Sequence, residues 1–298
     1  MVIVTQRLRV GLIGAGPWAS MVHAPAIAGH PGAELVSVWA RKPEQAAELA
    51  GPLGARVAAD PGQLIDEVDA VAFAVPPTVQ AELAMRAVKA GKHVILEKPT
   101  AGDLLTAQQL AQAVAEAQVA ALVMLTRRYD PAVKAWLAEA ERIGGWLTAD
   151  ARWLNSAALS GPFANSPWRR ERGALLDVGP HVIDLLDAVL GTVEDIPAVH
   201  RAEPDLWHVV LTHAGGATSS LALSLQFPIN PGVNSLTLYG PNGQLTLGEP
   251  ETSAVDCFRG LLDELLAMIE NKSWSHPCDA RRGYQLQLVI ETVELAAR

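Results

Sequence analysis

The sequence predicts an α/β chain in two parts. Residues 1–126 form a doubly wound parallel-sheet domain. Residues 127–298 form an α+β domain with an open, largely antiparallel sheet. Three observations predict this division. Short apolar runs alternate with helical patterns through the first part, as in a parallel sheet covered on both faces. A glycine-rich turn follows the first of these runs. Beyond about Arg127 the alternation gives way to strands of period two and an Asn242-Gly243 hairpin signal.

In the first part, Leu8–Ile13 reads as a strand and Trp18–Gly29 as a helix. Glu34–Trp39, Ala70–Val75, Val94–Leu96 and Ala121–Leu125 read as further strands, with Arg56–Ala58 a weak one. Their apolar residues are consecutive, which suits burial on both faces. Helical patterns over Glu44–Leu53, Gly62–Glu67, Thr78–Ala90 and Leu104–Ala117 lie between them. In the second part, Pro131–Ile143 is helical and Trp146–Leu154 alternates as a strand. A loop over Asn155–Gly173, rich in Ser, Pro and Arg, precedes a helix from Asp177 to Leu190, stopped by Gly191. Strands are expected at Leu206–His213, Ala217–Phe227, Ser235–Tyr239 and Gln244–Leu247. In "ATSSLALSLQF", Leu221, Leu223, Leu225 and Phe227 share one face, and Ser220, Ala222, Ser224 and Gln226 the other. The small-sided face suits solvent or a second subunit. Helices over Asp256–Glu270 and Ala280–Ala297 end the chain.

The formal net charge is −9 and no long basic run occurs, which argues against nucleic-acid binding. No apolar stretch reaches the roughly 20 residues that span a bilayer. The N-terminus lacks the layout of a signal peptide. The two cysteines, Cys257 and Cys278, form no CxxC pair. Together these features lead us to expect a cytoplasmic protein. No metal site is expected: His208 and His213 are five apart on one strand and face opposite sides.

The turn "GAGPWA" carries the first chemistry. Gly14 permits a tight turn, Gly16 a close backbone approach to a pyrophosphate, and Ala19 near packing of helix on strand. The amides at the helix start, with Pro17 and Trp18, would face the phosphates. The second strand ends in Ala40-Arg41-Lys42, with no acid for a ribose 2′-hydroxyl. A guanidinium and an ammonium suit a 2′-phosphate, so NADP(H) is favoured, with NAD(H) as the alternative. Pro76-Pro77 and Glu97-Lys98 lie just past strand ends, where the cofactor is expected to bind in this architecture.

The glycine loop, "VPPTVQ", "EKP" and "LLDVGPHVID" occur in this order along the chain. The ordered set resembles the glucose–fructose oxidoreductase / inositol dehydrogenase (Gfo/Idh/MocA) family, over nearly the whole chain. The resemblance implies a Rossmann domain, an open-sheet domain, a nicotinamide cofactor, and reversible hydride transfer at a carbon of a sugar, polyol or related hydroxy/keto compound. It implies a homo-oligomer, dimer or tetramer, formed through the C-terminal sheet. It makes Lys98 the EKP lysine, and Asp177 and His181 the aspartate and histidine of DxGxH. Gln80 stands where the family usually carries a histidine, and the glycine cluster before Asp177 shrinks to Gly173-Ala174. These departures leave the substrate and loop shape open.

The chemistry fits those residue types. Removing a hydroxyl proton as hydride departs needs a group that titrates near working pH, which suits His181. Asp177 is four residues before it, on the same helical face, and can support its charged form. Lys98 can stabilise negative charge developing on the substrate oxygen. Pro99 holds Lys98 extended. Each residue has a plainer reading. Asp177 also suits a helix N-cap, Lys98 an exposed strand end, and Glu97 a partner for Lys98 or a backbone cap. Tyr129, Trp153, Trp168 and Trp207 are candidate pocket walls, and Arg169, Arg170 and Arg172 candidate anion ligands. Two other readings are a cofactor-binding regulator without turnover and a reductase of the same fold acting on a non-sugar substrate.

Overall fold

The computed structural model describes residues 7–159, 173–249 and 252–298. The chain forms two compact units. The first comprises the described residues through Tyr129 together with Ser253–Gln285. The second comprises those of Asp130–Thr252 together with Leu286–Arg298. The sequence predicts one boundary, at 126/127. By contact, the chain crosses between units at Tyr129/Asp130, Thr252/Ser253 and Gln285/Leu286.

The first unit holds β1 (Leu8–Ile13), β2 (Ala33–Trp39), β3 (Arg56–Val57), β4 (Ala70–Phe73), β5 (His93–Leu96) and β6 (Ala121–Val123). They form one sheet in the order β3-β2-β1-β4-β5-β6, with every pair parallel. This is the doubly wound dinucleotide-binding order, whose crevice opens where the strand order reverses, between β1 and β4. The central strands are buried on both faces: every residue of β4 is buried, as are Val94, Ile95 and Leu96 of β5. Helices α1 (Ala24–Ala28), α2 (Pro43–Ala50), α3 (Pro61–Glu67), α4 (Pro77–Lys89) and α5 (Leu104–Ala117) complete the crossovers.

The first helix departs from the expected continuous Trp18–Gly29. Ala19–His23 is wound as a π-helix, and the Ala24 amide donates to the Ala19 carbonyl. Pro25 follows directly and has no amide to give an ordinary helix. The wider turn supplies the missing register, as single-turn π segments do inside helices.

The second unit carries α6 (Pro131–Ile143), β7 (Thr148–Leu154), α7 (Gly179–Leu190), β8 (Val193–Ala202), β9 (Leu206–His213), β10 (Thr218–Ser224), β11 (Val233–Gly240) and β12 (Gly243–Leu247). The strands form one sheet in the order β12-β11-β7-β10-β9-β8. Pairing is antiparallel except between β7 and β10. Helices α6 and α7 pack on one face, over Leu221 and Leu223, which are buried. On the other face Arg152, His208 and Ser220 are exposed.

Strand β8 was not expected. It carries Glu194, Asp195 and Pro197, and its pairing with β9 shifts register twice. Charges, proline and bulges mark an edge strand, and they erase the period-two signal that would reveal it. The expected alternation of "ATSSLALSLQF" holds for Leu221, Leu223 and Leu225. It fails at its end, where Ser224 is buried and Phe227 is 36% exposed, because the strand stops at Ser224.

Helices α8 (Ala254–Asn271) and α9 (Ala280–Ala296) follow. The buried stripe of α8 includes Phe258, Leu261, Leu262 and Leu265. It packs on the first unit, where Phe258 lies 4.4 Å from the His23 ring and Asp263 meets His30 at 3.0 Å. Its apolar period shows in the sequence; which sheet receives it does not.

Candidate active site

Four loops of the first unit gather at the carboxyl ends of β1, β2, β4 and β5. Gly14 ends β1 with φ +123°, and a Cβ there would collide with the Ala74 carbonyl. Its amide donates to the Trp39 carbonyl at 2.8 Å, tying the ends of β1 and β2 together. Gly16 is the opposite case: it is exposed, and a Cβ would meet nothing within 4 Å. That open position beside a helix start suits close approach of a pyrophosphate. Pro17 is exposed and Trp18 half-buried. Past β2, Ala40 is half-buried, and Arg41 and Lys42 are exposed at the start of α2. Pro76 stands at the N-cap of α4, with Pro77 the first helical residue. The open glycine turn and the helix start beside it fit a dinucleotide, and two exposed cations follow the end of β2.

The end of β5 is held from two sides. The Glu97 carboxylate accepts from Trp18 Nε1 at 2.7 Å and contacts His23 Nε2 at 2.9 Å. His23 is wholly buried, because the π turn aims it inward. Glu97 is therefore a bridge from the EKP turn to the glycine-loop helix. Lys98 is half-buried, and its peptide to Pro99 is cis. Gln80 is also wholly buried, and its amide bonds the backbone of the same turn. The departure at Gln80 therefore changes a packed strut, and its side chain has no surface to offer a ligand.

In the second unit, residues 173–177 form a helical turn that breaks at Val178 before α7 begins. Asp177 lies in that first turn, 7% exposed, and Val178 occupies the N-cap of α7 without a side-chain cap bond. The N-cap reading of Asp177 is thus corrected: the helical run starts earlier than its sequence signal. His181 is half-buried and stacks on Trp153, with ring centroids 6.3 Å apart.

Asp205 anchors Ala174 in that turn, and sequence reasoning missed it. Its carboxylate accepts from the Ala174 amide at 3.0 Å, from the Leu225 amide at 3.3 Å and from Trp207 Nε1 at 3.3 Å. Gly173 has φ +68°, and a Cβ there would run into the same carboxylate. Burial pushes the Asp205 pKa up; the three hydrogen bonds and the charge of Arg201 offset part of that. The "GA" remnant before Asp177 is the glycine that lets the backbone close on Asp205.

Of the aromatic candidates, Trp153 meets His181. Tyr129 is a core residue whose hydroxyl donates to the Val123 carbonyl at 3.0 Å. Trp207 is buried under Arg201, whose guanidinium lies 5.0 Å from its ring. Trp168, Arg169, Arg170 and Arg172 lie outside the described residues. His213 is buried between the Gly191 carbonyl and Ser219, and His208 is exposed on the other face. Among the described residues no group of three or more His, Cys, Asp and Glu is arranged to hold a metal ion.

Two family models match this chain. Residues 8–125 match the oxidoreductase family model with an NAD-binding Rossmann fold, and residues 132–246 match the GFO/IDH/MocA C-terminal domain. The chain belongs to the Gfo/Idh/MocA oxidoreductase family. Among curated relatives, it is 33% identical over 219 residues to levoglucosan dehydrogenase of Pseudarthrobacter phenanthrenivorans, covering 65% of this chain and 54% of that one. It is 35% identical over 127 residues to 4-carboxy-2-hydroxymuconate-6-semialdehyde dehydrogenase of a Sphingobium species, covering 42% and 40%. The matched segments thus span about half the length of these two relatives or less. The fold matches that of the WlbA dehydrogenase from Bordetella pertussis, solved with NADH and UDP-GlcNAcA, with a TM-score of 0.84 at 22% identity over 98% of this chain and 97% of that one. Among the described residues, no helix is long and apolar enough to cross a membrane.

Proposed function

We propose that this Gfo/Idh/MocA member is an NADP-preferring oxidoreductase acting on a sugar, polyol or related hydroxy/keto small molecule. The observation that carries the reading is the end of β5. There a half-buried lysine follows a carboxylate tied to the glycine-loop helix. A bound nicotinamide would supply the hydride acceptor for oxidation or the hydride donor for reduction. Lys98 hydrogen-bonds the substrate oxygen and steadies negative charge on it. His181, stacked on Trp153, takes the hydroxyl proton during oxidation and gives it back during reduction. Asp177 supports the imidazole in its charged form. Gly14, Gly16, Pro17, Trp18, Pro76 and Pro77 form the dinucleotide cradle, and Ala40, Arg41 and Lys42 take the 2′-phosphate. The relative named for a semialdehyde supports a second reading, an aldehyde or other non-sugar substrate on the same machinery.

The exposed face of the second unit's sheet, with Ser220 and His208, supports a homo-oligomer, dimer or tetramer. The two buried thiols, Cys257 and Cys278, suit a reducing cytoplasm. The test of the activity is a panel of sugars, polyols, ketones and aldehydes followed by NADPH absorbance. Lys98→Met should abolish turnover while NADPH fluorescence titration still reports binding. Unchanged turnover in that variant overturns the role of Lys98. Arg41→Ala should lower the preference for NADP over NAD by roughly tenfold, the scale of one lost charge-assisted phosphate contact.

A further inference from the structure

We propose that Gln80 is a positioning residue for Lys98, acting as a side-chain clamp on the turn that presents the lysine. This rests on the reading of Lys98 given above. Pairing of β5 with β4 runs through Ala72↔Ile95, and with β6 through Leu96↔Val123. Past Leu96 the ladder ends, and the chain still has backbone groups to satisfy. Gln80, in the first turn of α4, takes over. Its Oε1 accepts from the Glu97 amide at 2.8 Å. Its Nε2 donates toward the carbonyls of Glu97 at 2.7 Å, Thr100 at 3.1 Å and Pro99 at 3.2 Å.

One buried amide thus holds residues on both sides of Lys98. The orientation is dictated by the partners: one amide hydrogen faces the oxygen, and three carbonyls face the nitrogen. All of its side-chain hydrogen bonds fall on this turn, so its contribution is to the geometry of residues 97–100 rather than to the sheet. The Glu97 carboxylate is fixed separately by Trp18 and His23. Backbone and side chain next to Lys98 are therefore pinned by two independent devices, as near-attack positioning requires.

The test uses the full chain with two variants, Gln80→Met and Gln80→Glu. The first readout needs no substrate. Trinitrobenzenesulfonate labelling followed by peptide mass spectrometry gives the reactivity of Lys98 relative to exposed Lys272. Gln80→Met should change that ratio about threefold or more, because the clamp is gone. Gln80→Glu keeps the acceptor but loses the donors. At pH 8 it should shift the ratio in the same direction as Gln80→Met, and on acidification return toward wild type, as its carboxyl gains a proton to donate. A ratio identical in all three proteins at both pH values overturns the proposal. If Gln80→Met does not fold, the pH response of Gln80→Glu decides alone. Where turnover is found, Gln80→Met should lower kcat about tenfold or more with NADPH affinity unchanged. A wild-type chain with no turnover on the whole panel defeats the proposed function, and the labelling ratio still judges Gln80.

Discussion

The two sheets solve the same problem in opposite ways. The parallel sheet of the first unit is buried on both faces, so neighbouring residues along a strand, such as Ile95 and Leu96, are equally hidden. Among the described residues, the mixed sheet of the second unit is covered on one face, so Leu221 is buried while Ser220 next to it is exposed. The first arrangement leaves the strand ends exposed, and the glycine loop, Arg41, Pro76 and Lys98, the residues proposed above to bind and react, all lie there. The second leaves a whole face available to a partner. Burial pattern thus separates a sheet exposed at its strand ends from one exposed on a face.

The sharpest way to break this contrast is paired truncation. Ile95→Ala and Leu96→Ala should each destabilise the protein by about 2–5 kcal/mol in urea unfolding, and so should Leu221→Ala. Ser220→Ala should stay within about 0.5 kcal/mol. A large loss at Ser220 would show that its face is covered in the monomer. Next in size is the pair of loop glycines. Gly14→Ala should cost about 1–3 kcal/mol from backbone strain, and more if Ala74 cannot yield. Gly16→Ala should leave urea unfolding nearly unchanged and weaken NADPH binding, because its Cβ would occupy the space a phosphate needs. Equal loss of stability in both variants would remove the distinction between a structural and a ligand-facing glycine.

The smallest effect is a pH dependence specific to the first unit. His93 Nδ1 accepts from the Ala120 amide at 3.0 Å, and the ring stacks 6.0 Å from Trp274. Burial lowers its pKa, with Asp69 opposing. The unfolded chain therefore binds a proton first as pH falls. Stability from this group is present above about pH 6.5 and is lost as pH drops through that value toward the lower folded pKa. His93→Asn keeps an acceptor and should flatten that part of a Tm-against-pH curve. A curve unchanged by the substitution would place the titration elsewhere.

Legibility in the sequence follows the same contrast. The first sheet was readable strand by strand, because two-sided burial writes unbroken apolar runs and glycine and proline punctuate them. Strand β8 was not, because an edge strand is protected by the charges and proline that disguise it. Gly14 and Gly16 could be placed from spacing, yet only coordinates separate the crowded one from the open one. Gln80, His23 and Asp205 were missed as supports. A polar residue on an apolar helix face gives no sign in sequence of which distant backbone it will satisfy. His23 shows this most clearly, since its direction depends on a π turn forced by a proline two residues later.

The three crossings between units set an order of assembly. Helix α8 and the first residues of α9 belong to the unit that the N-terminus begins. A nascent chain released only as far as residue 126 has all six strands of the parallel sheet and lacks the helix whose Phe258 packs against His23. That ring contact, and with it the environment of the Glu97 bridge, is complete only after the second unit's sheet has been synthesised. The unit that carries the glycine loop is thus completed only by residues that follow the second unit's sheet in the chain.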